Sequence, residues 1–348
     1  MLLNKNIYLD RKTNFFIKKL QGEVNIEKES TQLSCFLCQK EEFKIISEKD
    51  RYGLFYPTGI CLNCGHLQQT SYLNSESLNK FYEKHYRDIY KTGTPEELFL
   101  SQYFEAAKKI DAFIGDIKIK NILEVGSGPG GILKYFQDKT NSNVLGIDLD
   151  QRYLDYGIKN NLNLINSTVE SFSSTNKYDL IIVCHVLEHL KNPIKLLEDL
   201  KSFLNEGGAI YIEVPSLESV KDGAYGKNLQ NYLHLAHVSH FTEKSIKDLI
   251  HISGYKVLNF NDSIQVLIQK ASQITKNLNN IQSNSYEYTE GLLKEINKDK
   301  HKKVGIKNIY LFTLFLYRRL KFKDLLNFIK TKIYKFSYYS GKWYLKVI

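Results

Sequence analysis

The chain has little of what a membrane-spanning, secreted or disordered protein needs. No apolar run in its 348 residues reaches the ~18 of a spanning helix. The first twenty residues mix Lys5, Asp10, Arg11, Lys18 and Lys19 with apolar side chains, so they lack the continuous apolar stretch of a secretory signal. Five cysteines are too few for a disulfide scaffold in a chain this long; they suggest a reducing compartment and a metal site. A hydrophobic fraction of 43% and a charged fraction of 25% exclude wholesale disorder. The expectation is a soluble, cytoplasmic, globular protein with about two domains at ~150 residues each.

Charge is unevenly placed. Of the net +10, residues 301–348 supply twelve Lys/Arg against one acid, Asp324, so the preceding residues are close to neutral. This basic tail interleaves its lysines with Tyr310, Phe312, Phe315, Tyr317, Phe322, Phe328, Tyr334, Phe336 and Trp343. Three readings stay open: a helical extension packed on the body, a peripheral anchor on anionic lipid at the inner face of the membrane, or a nucleic-acid contact through phosphate neutralisation and base stacking.

Residues 1–32 show no clear pattern, and 33–70 hold four of the five cysteines. Over 71–115, Leu78, Tyr82, Tyr86, Phe104, Ala107, Ile110 and Ile114 fall at helical spacing and predict a helical connector. From 116 to 270 apolar strands at 122–125, 144–148, 162–165, 178–183 and 209–214 alternate with helices at 131–138, from 152, at 194–204 and at 243–252. A hairpin at 255–260 and 264–269 closes the run. That alternation predicts an α/β fold with a parallel sheet covered on both faces. Residues 271–300, rich in Asn, Ser, Gln and Lys, read as a linker.

Cys35-Phe-Leu-Cys38 and Cys61-Leu-Asn-Cys64 are two C-x₂-C pairs separated by twenty-two residues. Each pair presents two thiolates to one ion, and two pairs complete a tetrahedral four-sulfur site. With every position filled by sulfur no place is left for water, so the expected zinc is structural. The competing reading, a redox pair, calls for one C-x-x-C ahead of a helix. The fifth cysteine, Cys184, ends the fourth strand of the α/β region.

Glu124-Val-Gly126-Ser-Gly128-Pro-Gly130-Gly131 follows a strand and opens a helix. It contains both the G-x-G-x-x-G of dinucleotide folds and acid-x-G-x-G-x-G. Asp148 ends the next strand, twenty-two residues after Gly126, and suits ribose hydroxyls under either reading. The loop alone therefore indicates a cofactor containing adenosine. Glu124 tilts the choice, since a carboxylate there repels a pyrophosphate and suits the ammonium of a methionine moiety.

These residues, with the segments 178–190 and 204–215, resemble successive motifs of class I S-adenosylmethionine-dependent methyltransferases. The four-cysteine module followed by Leu78-Asn-Lys-Phe-Tyr-Glu-Lys-His-Tyr86 resembles a subgroup with an N-terminal zinc-binding module, common in sugar and surface-glycan biosynthesis. The resemblance implies a Rossmann-like sheet of seven strands with the last antiparallel, and a small zinc-ribbon-like module before it. It places the methionine part of S-adenosyl-L-methionine on Glu124, Gly126, Ser127, Gly128 and Gly130, the ribose on Asp148, and an adenine face on Leu149. Thr168, Val169 and Glu170 then fall at the adenine edge, and Cys184 joins the cofactor-binding set. His189 occupies a pocket position of the sugar C-methyltransferases. His237 matches a histidine of their Tyr-x-Glu-His element, whose Tyr and Glu are His234 and Ala236 here.

A sulfonium methyl is already electrophilic, so the protein must chiefly align a nucleophile with it; a hydroxyl or carbon acid also benefits from a base near neutral pH. The candidate catalytic residues are His237 and His189, then His240, whose competing role is to cap the following helix. Glu188 is expected to orient a neighbour, and Tyr86 and Tyr90 to pack or close over the pocket. The expected acceptor is a small molecule, a nucleotide-linked sugar or glycan intermediate. RNA held by the zinc module and the tail is the alternative enzyme reading, and a non-catalytic cofactor-binding scaffold the third. No Asp/Asn-Pro-Pro-aromatic element follows strand four, which argues against adenine N-methylation.

Overall fold

The computed structural model describes residues 10–90, 93–272 and 285–297, and the backbone of 334–339 and 342–347. Its first elements are α1 (Arg11–Glu23), β1 (Ser30–Gln32), β2 (Phe43–Lys49), β3 (Phe55–Cys61), β4 (Leu67–Gln69) and β5 (Ser71–Leu73). Asp10 starts α1 by accepting a hydrogen bond from the Thr13 N–H at 2.9 Å, satisfying a donor that the helix itself cannot. The connector holds α2 (Ser75–Lys84), α3 (Tyr86–Tyr90), α4 (Pro95–Ser101) and α5 (Ala107–Ile114). A π turn at Gln102–Ala106 joins the last two. That widened turn rotates the helical stripe: Ala107, Ile110 and Ile114 are buried as expected, whereas Phe104 is left exposed.

The α/β region follows as β6 (Asn121–Val125), α6 (Gly131–Thr140), β7 (Asn143–Asp148), α7 (Gln151–Lys159), β8 (Leu164–Asn166), β9 (Tyr178–Cys184), α8 (Pro193–Leu200) and β10 (Leu204–Glu213). After α9 (Leu217–Asp222), α10 (Leu229–Tyr232), the short β11 (Ser239–His240) and α11 (Glu243–Ile252) come β12 (Tyr255–Phe260) and β13 (Gln265–Lys270). Seven strands form one sheet in the order β12-β13-β10-β9-β6-β7-β8. β13 runs antiparallel to both β10 and β12, and β6 to β10 are mutually parallel. Ile122, Leu123, Ile181, Ile182, Ile210 and Ile212 are all fully buried, as strands covered on both faces require. This is the expected α/β Rossmann-like architecture with seven strands, the last antiparallel.

A second sheet of four strands, ordered β11-β4-β3-β2, carries the cysteines. Its β11 comes from the segment after β10, so the cysteine region is stitched into the α/β body rather than appended to it. Ile17, Leu20, Leu54, Tyr56, Leu67, Phe81, Leu217, Leu233 and Leu235 pack in one cluster, and the described residues up to Ile296 form one compact unit.

Two expectations change. Residues 271–300 read as a linker, yet 285–297 are helical. Leu292, Leu293 and Ile296 of that helix are buried in the N-terminal cluster, and Lys44 pairs with Glu290. A Cβ on Gly65 would meet the Ser285 backbone at 2.2 Å, so glycine there lets the helix approach. The tail was expected to be helical; its described part is a hairpin of β14 (Tyr334–Tyr339) and β15 (Lys342–Val347). Tyr334, Phe336 and Tyr338 alternate with other residues in β14, a period of two that suits strands. Residues 301–333 lie outside the described residues. Among the described residues no helix is long and apolar enough to cross a membrane.

Candidate active site

The glycine loop leaves the carboxyl end of β6. Gly126, Gly128 and Gly130 have φ of 71°, 54° and 78°, left-handed values that residues with a Cβ rarely adopt. Asp148, at the end of β7, accepts from the Gly128 N–H at 2.9 Å and from the Asp150 N–H at 2.8 Å. This pins the loop and leaves carboxylate lone pairs for two ribose hydroxyls. Leu149 beside it is 65% exposed, an apolar face at the mouth of the loop. Glu124 is buried, and its Oε2 has no hydrogen-bond partner. Burial, with the Asp148 charge adding to it, holds this carboxyl well above its usual range. An ammonium satisfies such an orphaned carboxylate, so the residues present fit S-adenosylmethionine.

The other expected cofactor contacts divide. Beyond the end of β8, where adenine would be read, Thr168 is half-buried and Glu170 exposed. Val169 is packed in the core, and Ser127 is fully buried with its Oγ left without a hydrogen-bond partner. Cys184 lies at the end of β9, where burial raises its thiol pKa.

Beyond the carboxyl ends of β9 and β10 lies a cavity of about 270 Å³ lined by Arg51, Tyr86, Tyr90, His185, Glu188, His189, Pro215, Tyr225, His234 and His237. Glu188 lies amid its histidines: its Oε1 is 3.3 Å from His185 Nδ1, 3.9 Å from His189 Nε2 and 4.0 Å from His237 Nε2. His189 Nδ1 is 2.9 Å from the Ala236 carbonyl oxygen. A carbonyl can only accept, so Nδ1 carries the proton and Nε2 keeps its lone pair. The His237 and His234 ring centres lie 3.5 Å apart with the rings tilted by 48°, and burial holds both rings well below the usual histidine pKa; burial also lowers His189. Burial opposes the His185 charge too, but the Glu188 hydrogen bond and the charges of Glu188 and Glu213 hold that ring above its usual value. The His185 φ of 55° is strained for a residue with a Cβ and fixes its side chain at the cavity edge.

The cysteine region builds one wall of this cavity. β4 pairs with β11 through Gln68↔Ser239 and Leu67↔His240. Gln69 Nε2 donates to the Leu235 and His237 carbonyls at 3.0 and 2.9 Å. The Tyr56 hydroxyl reaches the His237 carbonyl at 2.6 Å, and Asp50 accepts from the Leu235 N–H at 3.1 Å. The 233–240 segment is thus positioned by the N-terminal residues.

His240 does not belong to the cavity. It is fully buried, 2.6 Å from the Tyr56 hydroxyl, and Thr242, not His240, caps α11. Its ring lies 6.2 Å from that of His237 but is engaged by Tyr56 and does not line the cavity, which corrects the catalytic expectation toward a packing role. Burial lowers its pKa to about 3 from an ordinary ~6.5. A depressed histidine contributes stability above ~6.5 that is lost as pH falls toward the folded value. The melting temperature should therefore drop between pH 7 and pH 5, and His240→Gln should flatten part of that drop; an unchanged melting temperature in the parent protein would contradict it.

The four cysteine sulfurs all lie within 4.8 Å of one another, with Cys35–Cys64 at 3.4 Å and Cys38–Cys61 at 3.5 Å. A tetrahedral zinc with bonds of ~2.3 Å needs sulfurs about 3.8 Å apart, so the set fits one. Arg51 and Tyr225 escaped the sequence reading. Arg51 lies between the two C-x₂-C pairs and Tyr225 after β10, and no local pattern marks either.

Residues 99–259 match the family model of the methyltransferase domain. The chain is 28% identical to malonyl-[acyl-carrier protein] O-methyltransferase 1 of Ilyobacter polytropus over 222 residues, covering 58% of this chain and 80% of that protein. It is 30% identical over 104 residues to the ubiquinone biosynthesis O-methyltransferase of Actinobacillus pleuropneumoniae, 26% of this chain and 44% of the relative. Among solved structures, an S-adenosylmethionine-dependent methyltransferase from Clostridium acetobutylicum is 13% identical with a TM-score of 0.40, over 56% of this chain and 99% of that one. The chain carries a class I S-adenosylmethionine-dependent methyltransferase domain.

Proposed function

We propose that the protein transfers a methyl group from S-adenosylmethionine to a small acceptor, a sugar or glycan-pathway intermediate, with the four cysteines holding one structural zinc. The observation carrying this reading is the Glu188-centred histidine cavity beside the glycine loop. A volume of about 270 Å³ suits a small molecule, and walls of histidine, tyrosine and glutamate suit a hydroxyl-bearing one. The bound cofactor supplies an electrophilic methyl on sulfonium. Glu124 would hold its ammonium, Asp148 its ribose and Leu149 its adenine. His189 Nε2 is placed to take the proton that a hydroxyl acceptor would lose on being methylated. Glu188 beside the ring stabilises the imidazolium.

Asp148→Ala should weaken S-adenosylhomocysteine binding by ~1.5–3 kcal/mol through loss of charge-assisted hydrogen bonds, read by calorimetry. Unchanged affinity would remove Asp148 from the cofactor site. A screen of nucleotide sugars tests the acceptor. Turnover on RNA instead, with binding that falls steeply with salt, would replace this acceptor class.

A further inference from the structure

The wall that the N-terminal residues give the cavity ends in a cation that, among the described residues, no carboxylate contacts directly. Among the described residues Arg51 forms no ion pair. The neighbouring Asp50 is buried, with its oxygens taken by the N–H groups of Tyr52, Leu54 and Leu235 at 2.8, 3.0 and 3.1 Å. Arg51 Nη1 donates to the Asn231 carbonyl at 3.3 Å, and its Nε is buried without an acceptor. Its guanidinium carbon lies 4.9 Å from the Tyr52 ring centre and 5.2 Å from that of Tyr90. The Arg51 backbone N–H is tied to the Leu233 carbonyl at 2.9 Å. Arg51 is therefore held in place with donors unspent, at a cavity it shares with Tyr90, His234 and Glu188.

A guanidinium fork matches a carboxylate or phosphate in two parallel hydrogen bonds, and leaving it partly desolvated without an anion is costly. The nearby histidines offer no compensating negative charge; Arg51 itself, after burial, helps keep His234 neutral. We propose that Arg51 recognises an oxyanion, carboxylate or phosphate, on the acceptor. The anionic end of the acceptor then lies against Arg51 and Tyr90 while its nucleophile meets Glu188 and His189. This rests on the methyl-transfer reading and makes the N-terminal region a determinant of specificity.

The test uses the full chain saturated with S-adenosylhomocysteine and two calorimetric probes, inorganic pyrophosphate and malonate. At least one should bind. Arg51→Met should weaken that probe roughly 10–100-fold, and Arg51→Lys, which keeps charge but loses the fork, should fall between. Both variants should bind S-adenosylhomocysteine as the parent does, which shows that they are folded. Pyrophosphate binding alone assigns a phosphate on the acceptor, and malonate binding alone a carboxylate. Failure of both probes on the parent protein, or parent-like binding by Arg51→Met, overturns the proposal. A parent protein that fails to bind S-adenosylhomocysteine overturns the methyl-transfer reading instead.

Discussion

Cys38→Ser is expected to release the zinc, melt the cysteine-bearing sheet and abolish methyl transfer while largely sparing cofactor binding. Structural zinc contributes ~10–16 kcal/mol to the folding of small metal modules, comparable with the whole ~5–15 kcal/mol stability of a domain. Without it, four thiols crowded within 4.8 Å have nothing to neutralise their thiolate forms. Cys61 closes β3 and Cys64 sits in the turn before β4, so the strands loosen with the site. Through β4, Gln69 and Tyr56 the damage reaches the 233–240 segment and the histidine wall of the cavity. The glycine loop and Asp148 sit on the main sheet and should persist. Elemental analysis should find one zinc per chain in the parent and none in Cys38→Ser, with S-adenosylhomocysteine binding within several-fold of normal. Cys184→Ser should keep its metal. Freshly purified protein without zinc, or Cys38→Ser with normal turnover, would end the structural-zinc proposal.

What could be read in advance follows from how local each signal is. The strands of the main sheet are short runs such as Leu180–Val183, buried on both faces, and the run itself reports that environment. The glycine loop declares itself because three left-handed backbone positions require glycine. The cavity is different, since its residues arrive from four distant segments. Arg51 depends on the turn after β2 being carried to α10 by β4–β11 pairing, which no short window encodes. His240 is indeed a neighbour of His237, with ring centres 6.2 Å apart, yet its Nε2 is taken by the Tyr56 hydroxyl and it does not line the cavity. The helix over 285–297 has few apolar residues, and composition hid it. Leu292, Leu293 and Ile296 nevertheless share a one-sided face that is buried only because Gly65 admits the backbone so closely.

The second large effect belongs to the histidines. The resemblance offers His237 and His189 alike as the base, and the geometry puts His189 first. Its Nδ1 is committed to the Ala236 carbonyl, so its Nε2 presents a lone pair without tautomeric cost. His237 Nδ1 has no partner, and nothing fixes its tautomer. His189→Ala should lower kcat by ~10²–10⁴-fold with little change in S-adenosylhomocysteine affinity. His237→Ala should lower it less, by loosening the ring that packs 5.0 Å from His189. His240→Ala should reduce stability more than turnover. A base works only while neutral, and burial lowers the His189 pKa, so neutrality should persist below the ordinary ~6.5. The acid limb of the rate profile should then fall below that value, and a limb above it would contradict His189 as the base. Should His189→Ala turn over normally while His237→Ala does not, the proton goes to His237. If both variants turn over normally, alignment of the acceptor by Arg51 and the tyrosines is sufficient for transfer, and neither histidine is catalytic.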